Sequence, residues 1–232
     1  MQMTWPLLFT VYNSCFFGCC FILIGILKEA VSGVLQLAGN RWSCLAMGSM
    51  VLIMKKISTE FTRLVSMDLS KSFYESLDKY DSKLLYLYHS RHYADIAEMS
   101  AILESLDKNA SNHRKRVAVL LGLPLYMQEN PSHFLMFCEH TDSEEEIIKG
   151  MTVGIITVVD DMMDPILCDC SDVALVIEVV IVLRNIGDVP NTFVNLMGLL
   201  YALNINYSQN FKYTFEVIQR LFMNIGADAC NV

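Results

Sequence analysis

Apolar residues are concentrated at the start of the chain. Within residues 5–27 the only ionisable side chains are Tyr12 and three cysteines. A helix rises about 1.5 Å per residue, so roughly 20 residues cross a bilayer core of about 30 Å. This segment therefore predicts a transmembrane helix. A cleaved signal peptide is the competing interpretation, but residues 1–4 contain no Lys or Arg and the apolar run exceeds the usual ~7 to 15 residues.

A second apolar stretch, residues 34–54, contains several polar residues in its first half, including Arg41. An arginine at the bilayer centre costs roughly 2.5 to 3.5 kcal/mol on insertion scales, so the pattern leaves open whether one helix or two helices cross. Lys55 and Lys56 end the apolar region on its C-terminal side. The positive-inside rule then places the rest of the chain in the cytosol.

The balance of charge changes at the same point in the sequence. Residues 1–56 contain four basic residues and one acidic residue, whereas residues 57–232 contain 13 basic and 24 acidic residues. We therefore divide the chain into a hydrophobic membrane-spanning segment, 1–56, and a helical cytosolic domain, 57–232. The net charge of the whole chain is -8, which argues against binding to nucleic acid.

Within the second part, one apolar stripe at helical spacing runs from about Asp81 to Leu106. Spacings of three and four residues are typical of a single buried helix face, so we predict one long helix that ends at residues 107–109. The stripe consists of Leu84, Tyr88, His92, Ile96, Met99, Leu103 and Leu106.

Shorter helices are predicted on either side of a possible sheet. A basic patch, residues 113–116, opens an apolar helix that should stop before Gly122. Residues 131–138 predict another short helix with Pro131 in its first turn, and residues 143–146 predict a capping box. After Pro190 an apolar helix is expected at the centre of the core, and residues 211–225 predict a closing helix.

Two short segments rich in β-branched residues interrupt this helical pattern. Residues 153–159 and 173–183 flank the turn-rich segment 160–172, which indicates a small β-hairpin or meander, with helix as the alternative. The predicted fold class is therefore mainly α: a helical domain with a possible small β-hairpin, preceded by one or two N-terminal transmembrane helices.

Two stretches of the C-terminal region, residues 198–207 and 212–219, carry a family resemblance. They resemble the C-terminal helical region of uncharacterised fish proteins that are similar to sterile alpha motif domain-containing protein three. The likeness covers roughly residues 72–225, and no sterile alpha motif domain is seen here. After Glu178 those proteins often have Gly where this chain has Val179. The resemblance implies no catalytic residues.

One acidic motif has a chemical interpretation. Asp160, Asp161 and Asp164 match the DDxxD pattern with which prenyl-diphosphate enzymes hold magnesium, and hard cations favour clustered carboxylates. Those enzymes also need a second acidic motif and basic residues for pyrophosphate, which the sequence lacks. A solvated acidic turn before Pro165 is the simpler interpretation, and a metal-dependent enzyme is the remote one.

Histidine and cysteine positions give weaker signals. His89 and His92 are three residues apart and could share a metal on one helix face, but His92 belongs to the apolar stripe and favours a core role. Cys168 and Cys170 lack the second pair and the spacing of a zinc site. We expect no catalytic residue, no cofactor and no metal site, and we expect the cysteines of the cytosolic part to be reduced.

The expected function is a non-enzymatic, membrane-tethered helical module that binds an unidentified protein or a second copy of itself. The membrane is contacted through residues 5–27 alone or through both 5–27 and 34–54. The alternative is a soluble cytosolic or nuclear scaffold-like protein whose hydrophobic N-terminus is a gene-model artefact. The remote alternative is a metal-dependent enzyme using Asp160, Asp161 and Asp164.

Overall fold

The computed structural model describes residues 44–90, 93, 96–159, 164–166 and 170–226. The predicted transmembrane segment 5–27 lies outside these residues, as does the first part of 34–54. None of the helices in the described ranges combines the length and the hydropathy that a bilayer crossing requires.

Seven α-helices and a four-stranded sheet form this part of the chain, which confirms the prediction of a mainly helical fold with a small amount of strand. The helices are α1 (Cys44–Val65), α2 (Leu69–Tyr88), α3 (Ala97–Lys108), α4 (Asn112–Tyr126), α5 (Glu144–Ile147), α6 (Val189–Ala202) and α7 (Lys212–Val217). The strands are β1 (Leu135–Cys138), β2 (Val153–Val159), β3 (Cys170–Ile177) and β4 (Val180–Leu183).

The sheet has the order β1-β2-β3-β4. Strands β2, β3 and β4 form the predicted antiparallel meander, and β1 adds to it in parallel with β2. Both faces of the sheet are covered. One face packs on the helices in the main core, and the other contacts Ile147, Ile148 and Met151 around α5.

The predicted helix over residues 131–138 is wrong. Pro131 begins a single 3-10 turn that ends at His133, and the chain then extends as β1. The side chain of Leu135 joins the core under the helices, while that of Cys138 joins the cluster on the opposite face. Successive side chains of a strand point to opposite faces of the sheet, and both faces are covered here. A strand therefore explains this continuous apolar run better than a helix does. The Ser143 side chain likewise makes no capping hydrogen bond to α5.

Helix α1 passes through Lys56, where the sequence placed its boundary. Ile53, Ile57 and Phe61 form one buried face at helical spacing, and α1 packs against α6. Lys55 and Lys56 lie on the opposite, exposed face. Charges on the outer face do not interrupt a helix, so the core draws residues from both sides of the boundary.

The single long helix predicted from Asp81 to Leu106 is also wrong. Helix α2 ends at Tyr88 and α3 begins at Ala97, and His92 lies outside the described residues. Both helices pack against α4. The apolar spacing continues across the interruption because both helices bury their stripes against the same neighbour.

The sequence predicts that helix α4 stops before Gly122, and that prediction is wrong. Helix α4 continues through Pro124 to Tyr126. A Cβ at Gly122 would lie 2.6 Å from a ring carbon of Tyr88, so the glycine allows the aromatic ring to approach the helix. Pro124 lies in the last turn of α4. Its missing N–H removes one helical hydrogen bond there but does not prevent the helix from forming.

The two C-terminal helices form where the sequence predicts them. Asp188 caps α6 by accepting a hydrogen bond from the Asn191 N–H at 2.7 Å, and α6 contacts α1, α2, α4 and β3. The closing segment begins with α7 and continues as a π-helical turn, Ile218–Phe222. Phe211, Phe215 and Phe222 are buried.

Candidate functional site

An apolar groove lies where α3, α4 and β1 meet. It encloses about 920 Å³, a volume within the range of ligand-binding clefts. Helix α3 contributes Ala101 and Ile102, α4 contributes Leu121 and Leu125, and β1 contributes Leu135 and Phe137. We call this cavity the β1 groove.

One wall of the β1 groove is held by a carboxylate. The segment after α4, residues 128–132, turns at Gln128, whose φ is 58°. The carboxylate of Glu129 then accepts hydrogen bonds from the backbone N–H groups of Tyr213 at 2.8 Å and Thr214 at 3.0 Å. These are unsatisfied donors of the first turn of α7, so Glu129 acts as a helix cap from a distant segment. The negative charge of Glu129 is therefore engaged with the first turn of α7.

The opposite lip of the groove contains Asp164 and Pro165, held by a second polar contact. Arg114 of α4 donates to both Asp164 oxygens, at 2.6 and 3.1 Å. Ser105 of α3 donates to Asp164 Oδ1 at 2.7 Å, and the Ile166 N–H donates to the same oxygen at 3.1 Å. We call this set of contacts the Asp164 clasp. The Arg114 guanidinium, followed by the smaller effects of Ser105 and Ile166, lowers the pKa of Asp164 to about 2.

The electrostatic character of the groove depends on Glu98. Among the described residues the lining contains no Lys, Arg or His, and its acidic residues are Glu98, Glu129 and Asp164. Two of these carboxylates are engaged by the contacts above. Among the described residues none forms an ion pair with Glu98, so its carboxylate can accept a cation from outside the fold.

The residues considered for metal binding are only partly described. Asp160, Asp161, His92 and Cys168 lie outside the described residues. Asp164 uses its carboxylate in the clasp, and His89 ends α2 as an exposed C-cap. Within the described ranges no group of three or more His, Cys, Asp or Glu side chains has the arrangement of a metal site.

A contact between Ser171 and His140 has the appearance of a nucleophile and its base. Ser171 Oγ lies 2.9 Å from His140 Nε2 and 3.1 Å from the Val158 carbonyl oxygen, and its single proton can be donated to only one of these two acceptors at a time. The carbonyl competes with the imidazole for the serine proton, so this geometry alone does not make Ser171 a nucleophile. The contact ties the end of β1 to the start of β3.

Comparisons with protein-family models, with curated proteins and with solved structures give no match for this chain.

Sequence reasoning missed the groove because it read β1 as a helix. The four apolar residues of β1 are too few to show a period, and only the parallel register with β2 defines the strand. The Asp164 clasp joins positions 50 residues apart, and nothing local in the sequence indicates such a pair.

Proposed function

We propose that the protein is a non-enzymatic, membrane-tethered interaction module whose β1 groove takes a segment of a partner protein. The observation that carries this proposal is the groove itself, an apolar cleft of about 920 Å³ built from α3, α4 and β1. Ala101 is exposed beside this largely buried apolar lining, and a concave apolar cleft with a few polar groups is the usual form of a binding site.

The membrane tether consists of residues 5–27 and, if the second stretch also crosses, residues 34–54, with the described domain in the cytosol. The surface of α1 supports this arrangement. Val51 and Leu52 are 66% and 57% exposed, and one turn later Lys55 and Lys56 are exposed on the same side. An outward face that changes from apolar to basic suits a helix that leaves a bilayer at a headgroup layer.

Site-specific photo-crosslinking of the full-length chain in cells tests this function. A photoreactive amino acid replaces Ala101 in the groove, and the same residue replaces Ala110, which is exposed outside the groove, as the matched control. We expect a discrete crosslinked species from position 101 that position 110 does not give, and mass spectrometry identifies its partner.

The mass of the product separates the possible occupants. A product of twice the chain mass would show that the partner is a second copy. The absence of any product at position 101, or identical products at positions 101 and 110, would contradict the use of the groove as a binding site.

A further inference from the structure

Strand β1 is an edge strand whose outer backbone groups lack partners in the described part of the chain. The Ile155 N–H donates to the Phe134 carbonyl at 2.7 Å, and the parallel register pairs Leu135 with Ile155 and Phe137 with Thr157. In a parallel pair, alternate residues direct their backbone groups at the neighbouring strand. The N–H and C=O groups of Leu135 and Phe137 therefore point away from β2. No described residue forms a hydrogen bond with these four groups.

The same two residues also line the β1 groove with their side chains. Leu135 is 6% exposed and Phe137 is half-buried, and both pack on the core beneath the helices. An extended chain placed beside β1 would thus pair with its outer backbone groups. It would direct every second side chain between the sheet edge and the helices α3 and α4.

We infer that the occupant of the β1 groove is an extended peptide that adds to the sheet as a further strand beside β1. This inference rests on the proposed function and names the kind of partner segment that the groove takes. A helical occupant satisfies its own backbone and leaves the edge of β1 unpaired, whereas an extended occupant satisfies both.

The residues that line the β1 groove determine which side chains the peptide carries. Apolar residues at alternate positions fit the surface formed by Ile102, Leu121, Leu125 and the two β1 side chains. A Lys or Arg on the outer part of the peptide pairs with Glu98, which has no ion-pair partner among the described residues. The recognised segment is an extended, alternately apolar peptide with a basic residue.

The test begins with a display selection of short random peptides on the full-length protein in lipid nanodiscs. The affinity of an enriched peptide is then measured on two variants at one position. Phe137→Pro removes the outward N–H, and proline is compatible with an edge strand when its nitrogen faces away from the neighbour. Phe137→Leu removes the ring but keeps the N–H, and is the matched control.

We expect Phe137→Pro to weaken binding about tenfold relative to Phe137→Leu, because it removes a backbone hydrogen bond and places a pyrrolidine ring against the peptide. N-methylation of the peptide should weaken binding at every second residue and have little effect at the residues between. Unchanged melting temperatures of both variants establish that the sheet is intact. Equal affinities of the two variants, with N-methylation tolerated throughout, would overturn strand addition.

Ala101→Arg separates this inference from the proposed function. If the enriched peptide loses affinity for Ala101→Arg but binds the two Phe137 variants equally, the groove binds peptides and the occupant is not an added strand. If Ala101→Arg also leaves the affinity unchanged, or if no peptide is enriched, then strand addition beside β1 and the proposed function of the groove as a binding site are both wrong.

Discussion

The turn between β3 and β4 contains Val179, whose backbone conformation is unfavourable for a β-branched side chain. Glu178 and Val179 have φ values of 51° and 62°, and both N–H groups donate to carbonyls before β2, those of Thr152 and Met151. Two consecutive positive φ values are typical of the tight hairpin turn that favours Asn and Gly. A β-branched residue in this region is strained. A glycine at this position would suit the observed backbone better than Val179 does.

We expect Val179→Gly to raise the free energy of unfolding by about 1 kcal/mol, because the left-handed conformation costs a non-glycine residue about that much. Val180→Gly, one residue later in extended β4, is the control and should lower it, since glycine weakens a strand. Chemical denaturation of both variants measures the difference. A loss of stability in Val179→Gly as large as that in Val180→Gly would show that the turn does not have this conformation.

The Asp164 clasp makes stability depend on pH. The folded pKa of Asp164, about 2, lies below its ordinary value of 3.8, so the ionised form is favoured by folding. A group with a lowered folded pKa contributes stability above the unfolded pKa and loses it as pH falls through the folded pKa. The contribution should therefore be complete at neutral pH and disappear between about pH 4 and pH 2.

Asp164→Asn tests this dependence, because the amide keeps the shape of the side chain without its charge. At pH 7 we expect a lower melting temperature for the variant than for the unaltered protein. The difference should shrink as pH falls from 4 to about 2, where the carboxylate becomes neutral. Melting curves collected over this range provide the measurement. A difference that is the same at every pH would show that the ion pair with Arg114 does not stabilise the fold.

At the scale of elements, close contacts between helices determine how α1, α2 and α6 pack. A Cβ at Gly198 of α6 would lie 2.5 Å from Cγ2 of Ile57 and 2.8 Å from Cδ2 of Leu69. The Leu69 methyl is at the end of a flexible side chain, whereas the Ile57 methyl is fixed by β-branching in a helix. The glycine is therefore required by its neighbours and not by its backbone angles.

We expect Gly198→Ala to lower the free energy of unfolding by about 1 kcal/mol, because overpacking outweighs the gain of about 1 kcal/mol in helix propensity. On the background of Ile57→Ala, which removes the obstructing methyl, the same substitution should stabilise the protein. A double-mutant cycle by chemical denaturation measures this change of sign. Additive effects of the two substitutions would contradict the contact between α1 and α6.

The sequence predicts elements well where a local pattern extends over many residues. The closing helix has apolar residues at helical spacing, the helix after Pro190 is apolar on nearly all sides, and the strands around residues 160–172 are rich in β-branched residues; all are present. It fails at α4 because Gly122 and Pro124 have the composition of a turn, while the ring of Tyr88 is what requires the glycine. The prediction fails at β1 because four residues are too few to show a period, and only the pairing with β2 identifies them as a strand.

At the scale of the whole molecule, α1 joins the hydrophobic N-terminal region to the core. Ile53 precedes the sequence boundary at Lys56 and is buried, and Ile57 and Phe61 follow it on the same face. Charge and hydropathy change at Lys56, but neither property reports which face of a helix packs inward. The change in charge and hydropathy at Lys56 therefore falls within a helix that contributes buried residues from both sides of it.

The proposed cytosolic orientation can be tested with two glycosylation sequons, Asn109-Ala110-Ser111 and Asn206-Tyr207-Ser208. Asn109 and Asn206 are both exposed at positions between helices, so both report on the compartment. Glycosylation occurs only on the lumenal side, and the cytosolic orientation leads us to expect no glycan at either site. A glycosidase-sensitive increase in mass that is lost in Asn109→Gln or Asn206→Gln would reverse the proposed topology.

Backbone amide exchange measures whether the outer edge of β1 is available to a further strand. In the unliganded full-length protein we expect the N–H groups of Leu135 and Phe137 to exchange faster than that of Met136, which the parallel register directs at β2. Addition of a peptide enriched on the groove should slow the first two and leave Met136 unchanged. Equally slow exchange at all three positions without peptide would show that the edge is already covered and that β1 does not accept a further strand.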